Sequence, residues 1–148
     1  MKIFVQSNND ANLDYQKAIK IAGNPLLAEN LITDEFTNAC IEREKDFPTG
    51  LQVNSDLGIA IPHGNQNFVN TSSVSFVRFS YPVKFGRMDD KSKDVKCTFI
   101  FNLALAKGDE HLTMLRTLMK LFQNKDFLES IKNKKDKELE EYLYQKLN

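Results

Sequence analysis

The chain carries two histidines in 148 residues, and each sits where imidazole chemistry would be useful. His63 ends the stretch "GIAIPHG", residues 58–64. A short apolar run stops at Pro62, which fixes its own φ and biases Ile61 toward extended geometry; Gly64 then lets the backbone turn at once. His63 is therefore expected at the carboxyl end of a buried strand, where ligand and catalytic sites of α/β sheets gather. Limited backbone freedom there suits a nucleophile that must meet its acceptor in line. His111 follows Asp109 and Glu110. With Asp109 as a helix cap, His111 falls in the first turn, where the macrodipole disfavours imidazolium and exposed N–H groups favour an anion. A neutral imidazole N–H at that point is a good donor to a phosphoryl oxygen. Taken alone, each position also fits a solvent-facing histidine with no role, and for His111 position by itself favours that reading. A zinc site lacks support: the histidines are far apart in sequence, with no HxxxH and no nearby Cys pair.

Elements of both kinds must hold these residues. "KIFVQ" reads as a first strand. Leu13, Tyr15, Ile19, Ala22 and Leu26 recur at near-helical spacing, although Gly23 and Pro25 argue for a break. Thr33 reads as an N-cap with Asp34 and Glu35 in the first turn, placing Phe36, Ala39, Cys40 and Arg43 on one helix face that ends at Phe47-Pro48-Thr49-Gly50. A loop leads from there to the "GIAI" strand. "SVSFVRFSY" is a further strand, and "VKCTFIFNLAL", the most hydrophobic run, is expected at the centre of the sheet. Between them "PVKFGRMDDKSKD" reads as a polar turn or lid. Leu112, Leu115, Leu118/Met119 and Phe122 form an amphipathic stripe, and two short helices complete the chain. Helices interleaved with strands predict an α/β fold, a mixed β-sheet flanked by helices, as a single domain over residues 1–148.

Composition narrows the functional classes. Hydrophobic residues make up 41% and charged residues 27%, and Lys+Arg and Asp+Glu are both 20. That is ordinary globular composition, with no net charge to predict a nucleic-acid or anionic-membrane surface. No apolar run is long enough to span a bilayer, and "MKIFVQSNND" lacks the apolar core of a signal peptide. Direct membrane insertion is not expected, and the expected location is cytoplasmic. Cys40 and Cys97 are isolated and read as buried thiols. Phe68 and Phe85 could line the site, but core packing is the expected fate of both.

Three segments in order carry a resemblance. "GIAIPHG" resembles the active-site motif of enzyme IIA components of the bacterial sugar phosphotransferase system, fructose/mannitol superfamily. "IEREKDFPTG" resembles the family's Arg-Glu-x-x-x-x-Thr-Gly segment, and "AKGDEHLTMLRTLMKLF" its second-histidine segment. The longer insert "LQVNSDLG", with "FPTG" and "PVKFGRMDD", is most similar to the galactitol-type subgroup. The resemblance implies that His63 accepts a phosphoryl group from phospho-HPr and passes it to a cysteine of a cognate enzyme IIB, serving a membrane enzyme IIC indirectly. It implies that His111 hydrogen-bonds the phosphoryl group and that Arg43 supplies fixed positive charge beside it; Thr49 and Gly50 would shape the nearby loop. An arginine cannot lose its proton and holds two oxygens in a planar fork. Without the resemblance, Arg43 fits an ion pair with a neighbouring Glu just as well. No cofactor and no metal are expected, since histidine and arginine can meet the charge of a single phosphoryl group. The other reading is a regulatory phosphoacceptor of the nitrogen-related IIA kind, acting by protein–protein binding.

Overall fold

The computed structural model describes residues 1–148. In chain order the elements are β1 (Lys2–Asn8), α1 (Tyr15–Ala28), α2 (Phe36–Asp46), β2 (Gly50–Asn54) and β3 (Leu57–Ala60). They continue with β4 (Ser73–Gly86), β5 (Asp94–Ala104), α3 (Gly108–Leu121), α4 (Lys125–Asn133) and α5 (Asp136–Leu147). The strands form one mixed sheet in the order β1-β4-β5-β3-β2. β1 pairs with β4 and β3 with β5 in parallel; β4–β5 and β2–β3 are antiparallel. The hydrophobic run "VKCTFIFNLAL" becomes β5, the central strand, apolar on both faces as a strand covered on both sides must be.

The two-residue period of β4 and β5 divides the core in two. Val77, Phe79, Ile100 and Ala104 pack with Ala18, Ile19, Leu26, Phe36 and Cys40 of α1 and α2. Phe76, Phe99, Phe101 and Leu103 pack with Met114, Leu118, Phe127, Ile131, Leu139 and Leu143 of α3, α4 and α5. The second layer is built on phenylalanine: ring centroids lie 4.9 Å apart for Phe76–Phe101 and 5.7 Å for Phe101–Phe122. Full burial of each such side chain contributes about 1.5–3 kcal/mol. Phe85 is buried in the first layer, and Phe68 is partly buried against it. Both cysteines are free and buried. No helix is long and apolar enough to cross a membrane.

Several elements depart from the sequence expectations for identifiable reasons. α1 runs through Pro25 without a break. Proline removes the N–H that would bond the Ile21 carbonyl, and Gln6 Nε2 donates to that carbonyl instead, at 3.0 Å. Thr33 is not the cap of α2. Glu35 occupies that position without a side-chain cap bond, and the Thr33 hydroxyl donates to the Glu35 carboxylate at 2.5 Å. Asp109 lies inside the first turn of α3, and Lys107 is the cap. β4 extends through "PVKFG", so the polar turn shrinks to residues 87–93. The expected loop after Gly50 is the β2–β3 hairpin. In α3 the buried residues are Met114 and Leu118, joined by Phe122 just past its end, while Leu112 is exposed.

Gly58 begins the run that leads to His63. A Cβ there would collide with the Lys96 carbonyl and the Val95 side chain of β5. Gly58→Ala is therefore expected to force β3 off β5 and to cost about 1–3 kcal/mol, the usual scale of overpacking. Urea unfolding measures this, and an unchanged midpoint with an unchanged slope would contradict the close approach.

Candidate active site

Topology brings the site together. β3 and β5 are parallel neighbours, so their carboxyl ends share one edge of the sheet. His63 follows β3, and His111 lies in the first turn of the helix that follows β5. β2 is antiparallel to β3 and therefore starts at that same edge. The last turn of α2, which carries Arg43, precedes β2 and ends there too. Three segments far apart in sequence thus meet at one cleft of about 600 Å³, whose walls include Arg43, Asp46, Phe47, His63 and His111.

Local chemistry fixes His63. Ile61 lies one residue beyond β3, so its N–H has run out of ladder partners; the Thr49 hydroxyl accepts it at 3.2 Å. The Pro62 carbonyl accepts two donors, the Leu103 N–H and Asn102 Nδ2, both at 3.0 Å. His63 bridges to the Leu103 backbone. Its Nδ1 lies 2.9 Å from the Ile61 carbonyl oxygen. A carbonyl only accepts, so Nδ1 carries the proton and the neutral ring presents its lone pair on Nε2. Gly64 does not adopt a positive φ. Its tight neighbour is α2 instead: a Cβ would stand 3.2 Å from both the backbone nitrogen and Sγ of Cys40.

The His111 ring is 5.5 Å from that of His63, centroid to centroid, and tilted 49° to it. Neighbouring Glu110 is held elsewhere: its carboxylate accepts the Lys107 N–H at 3.1 Å and the Ser72 hydroxyl at 2.7 Å. Arg43 forms no ion pair, and its guanidinium carbon lies 5.2 Å over the exposed Phe47 ring. Burial, above all, pushes the His63 pKa below its usual value; the Ile61 hydrogen bond opposes this, and Arg43 and His111 add to it. The pKa of His111 is also lowered, first by burial and then by Arg43, with Glu110 opposing. At neutral pH the site holds two uncharged imidazoles beside a permanent cation, a set suited to a dispersed anion. No group of three or more His, Cys, Asp or Glu is placed to hold a metal ion.

The structure thus brings together all three residues singled out from the sequence. It adds two that sequence reading passed over, Glu44 and Asn102, and gives Thr49 and Cys40 definite places. Glu44 is buried, with a pKa pushed up to about 7 by that burial against the opposing hydrogen bonds from Thr49. It accepts the Thr49 N–H at 2.6 Å and the Thr49 hydroxyl at 3.0 Å. Thr49 itself had no assigned chemical part. Asn102 is wholly buried, and the signal for it was available: it is the one amide in the most apolar run of the chain. Cys40, beneath Gly64, is a thiol whose pKa burial raises to about 12, hence unreactive at neutral pH.

Residues 2–146 match a family profile described as "Phosphoenolpyruvate-dependent sugar phosphotransferase system, EIIA 2". The chain is 29% identical over 130 residues to the galactitol-specific EIIA component of Escherichia coli (strain K12), covering 88% of this chain and 85% of that one. Its fold is similar to the complex of enzyme IIAMtl and phosphorylated enzyme IIBMtl from Escherichia coli, with a TM-score of 0.72, 21% identity, and coverage of 99% and 93%. It is also similar to the nitrogen regulatory protein IIA-Ntr from Neisseria meningitidis, with a TM-score of 0.65, 22% identity, and coverage of 99% and 92%.

The charge arrangement makes a direct prediction. Both histidines should titrate below the ordinary value near 6.5 in an NMR pH series, and removal of the cation in Arg43→Met should raise both. Titration of either ring above its ordinary value would contradict the burial and the placement of Arg43.

Proposed function

The chain belongs to the EIIA 2 family of the phosphoenolpyruvate-dependent sugar phosphotransferase system, and from that premise we propose that His63 is its phosphoacceptor. The observation that carries the proposal is the hydrogen bond from His63 Nδ1 to the Ile61 carbonyl. It leaves Nε2 as an unprotonated nucleophile aimed from a rigid strand end, and no separate base is needed. In the first step the N–P bond of phospho-HPr breaks as the His63 Nε2–P bond forms, and the electron pair stays with the departing HPr imidazole. In the second, a cysteine thiolate of the cognate enzyme IIB attacks phosphorus. An S–P bond forms, and the electron pair of the broken N–P bond returns to Nε2. His63 Nδ1 keeps its proton throughout, so the protein moves a phosphoryl group without moving a proton of its own.

His111 donates a hydrogen bond to the phosphoryl oxygens, and Arg43 leaves Phe47 to pair with them. The transition state is dispersed negative charge, which fixed donors and a fixed cation stabilise without reorganisation. Phe47, on the wall of the cleft, is 62% exposed; it offers the docked partner an apolar contact. The relative at 29% identity is galactitol-specific, which supports a galactitol-type system as the destination of the phosphoryl group, through enzyme IIB to the membrane enzyme IIC. The protein works in the cytoplasm, where its phosphoryl donor is made. The regulatory reading has the fold likeness to the nitrogen regulatory protein in its support, at 22% identity, and the transport reading has the sequence likeness besides.

Incubation with purified phospho-HPr tests the assignment. The native chain should take up one phosphate, His63→Ala none, and His111→Ala at least some. His111→Ala and Arg43→Ala should each slow transfer to enzyme IIB by about 10²–10³, the usual effect of losing one well-placed donor. Arg43→Lys should not restore the native rate, because a point charge does not reproduce the fork. Phosphate retained on His63→Ala, or native transfer rates in both other variants, would overturn these roles.

A further inference from the structure

The buried carboxyl group of Glu44 has no part in the transfer described above, and its position calls for one. It lies in the last turn of α2, next to Arg43 but facing inward. Both donors of Thr49 are spent on it, the backbone N–H at 2.6 Å and the hydroxyl at 3.0 Å. With its proton committed to Glu44, the Thr49 hydroxyl has its lone pairs turned to other donors. One of these takes the N–H of Ile61, at 3.2 Å.

Three successive peptide planes lead from that contact to the reactive ring. The 60–61 peptide is held through its N–H by Thr49. The 62–63 peptide is held through its carbonyl by Asn102 and Leu103. The plane between them, 61–62, belongs to a proline and has no N–H, so it can be held only through its carbonyl or through its neighbours. That carbonyl is the partner of His63 Nδ1. Its direction depends on the planes on either side, and the upstream plane depends on Thr49 and Glu44.

We propose that Glu44 and Thr49 are positioning residues that fix the tautomer of His63, acting through the Ile61 peptide to keep the proton on Nδ1 and the lone pair on Nε2. The proposal rests on the phosphoacceptor reading of His63 for its functional meaning. Its physical content is independent of that reading. A neutral imidazole released from the Ile61 carbonyl is free to carry its proton on either nitrogen. The tautomer with the proton on Nε2 has no nucleophilic pair at the cleft. Loss of the relay should thus lower the reactive fraction of His63 without touching the phosphoryl group, His111 or Arg43.

The test uses Thr49→Val, which keeps the shape and deletes the hydroxyl, and Thr49→Ser, which restores it. Ring ¹⁵N shifts of His63 in the full-length, unphosphorylated proteins report the tautomer. The native protein and Thr49→Ser should show a single Nδ1–H form; Thr49→Val should show a mixture. Phosphorylation of Thr49→Val by phospho-HPr should be slower by about tenfold to a hundredfold, the scale set by small misplacements of a reacting group. If Thr49→Val does not fold, Glu44→Gln carries the same test. Its amide donates into the Thr49 oxygen in competition with Ile61, so the Ile61 amide should lose exchange protection and the ring should again become a mixture. A single Nδ1–H tautomer in Thr49→Val, or in Glu44→Gln where that variant is the one measured, would overturn the proposal. Absence of phosphate uptake by the native protein would instead overturn the phosphoacceptor reading, and the tautomer measurement would be unaffected.

Discussion

Proline at the end of a buried strand leaves a peptide that can accept a hydrogen bond but cannot donate one. The 61–62 peptide is such a unit, and its carbonyl is met by the side chain of His63, two residues further on. Buried backbone groups are costly to leave unpaired, so one contact serves two ends. It satisfies the strand terminus, and it commits one ring nitrogen of the histidine. The nitrogen left over faces a cleft that also holds a second imidazole and an arginine. An unremarkable need of the fold, to finish a strand, thereby sets which atom is available for chemistry.

The mixed character of the sheet does the rest. In an all-antiparallel sheet β3 and β5 would end at opposite edges, and the segments after them could not meet. Their parallel pairing puts His63 and the start of α3 side by side, and the β2–β3 hairpin returns the chain so that α2 ends at the same place. The two layers of core on either face keep that edge rigid. Partial burial and the Arg43 cation both lower the pKa of each imidazole, which favours the uncharged rings beside a permanent cation. A site of this kind attracts an anion without holding a proton that would have to leave.

Much of this was legible in the residues. Pro62 and Gly64 bracket His63 visibly, the apolar run of β5 announces the central strand, and the Asp-Glu-His order before an amphipathic stripe places His111 at a helix start. What escaped depends on contacts between elements. Pro25 reads as a helix breaker because sequence does not show Gln6 reaching the carbonyl that proline abandons. Glu44 reads as one charge among four in "EREK", since the helical turn that buries it is known only once α2 has docked. Gly64 reads as a turn residue, whereas it has no positive φ and lies close against Cys40 of α2. The hairpin after Gly50 alternates Leu51 and Val53 with Gln52 and Asn54, but over too few residues to tell a strand from a loop.

Direct observation of the phosphorylated atom tests the account at its centre. Uniformly ¹⁵N-labelled protein, loaded from phospho-HPr, can be examined by ¹⁵N–³¹P correlation. One phosphorus is expected, coupled to Nε2 of His63, with Nδ1 of the same ring still bearing its proton. Coupling to Nδ1 of His63, or to either nitrogen of His111, would contradict it.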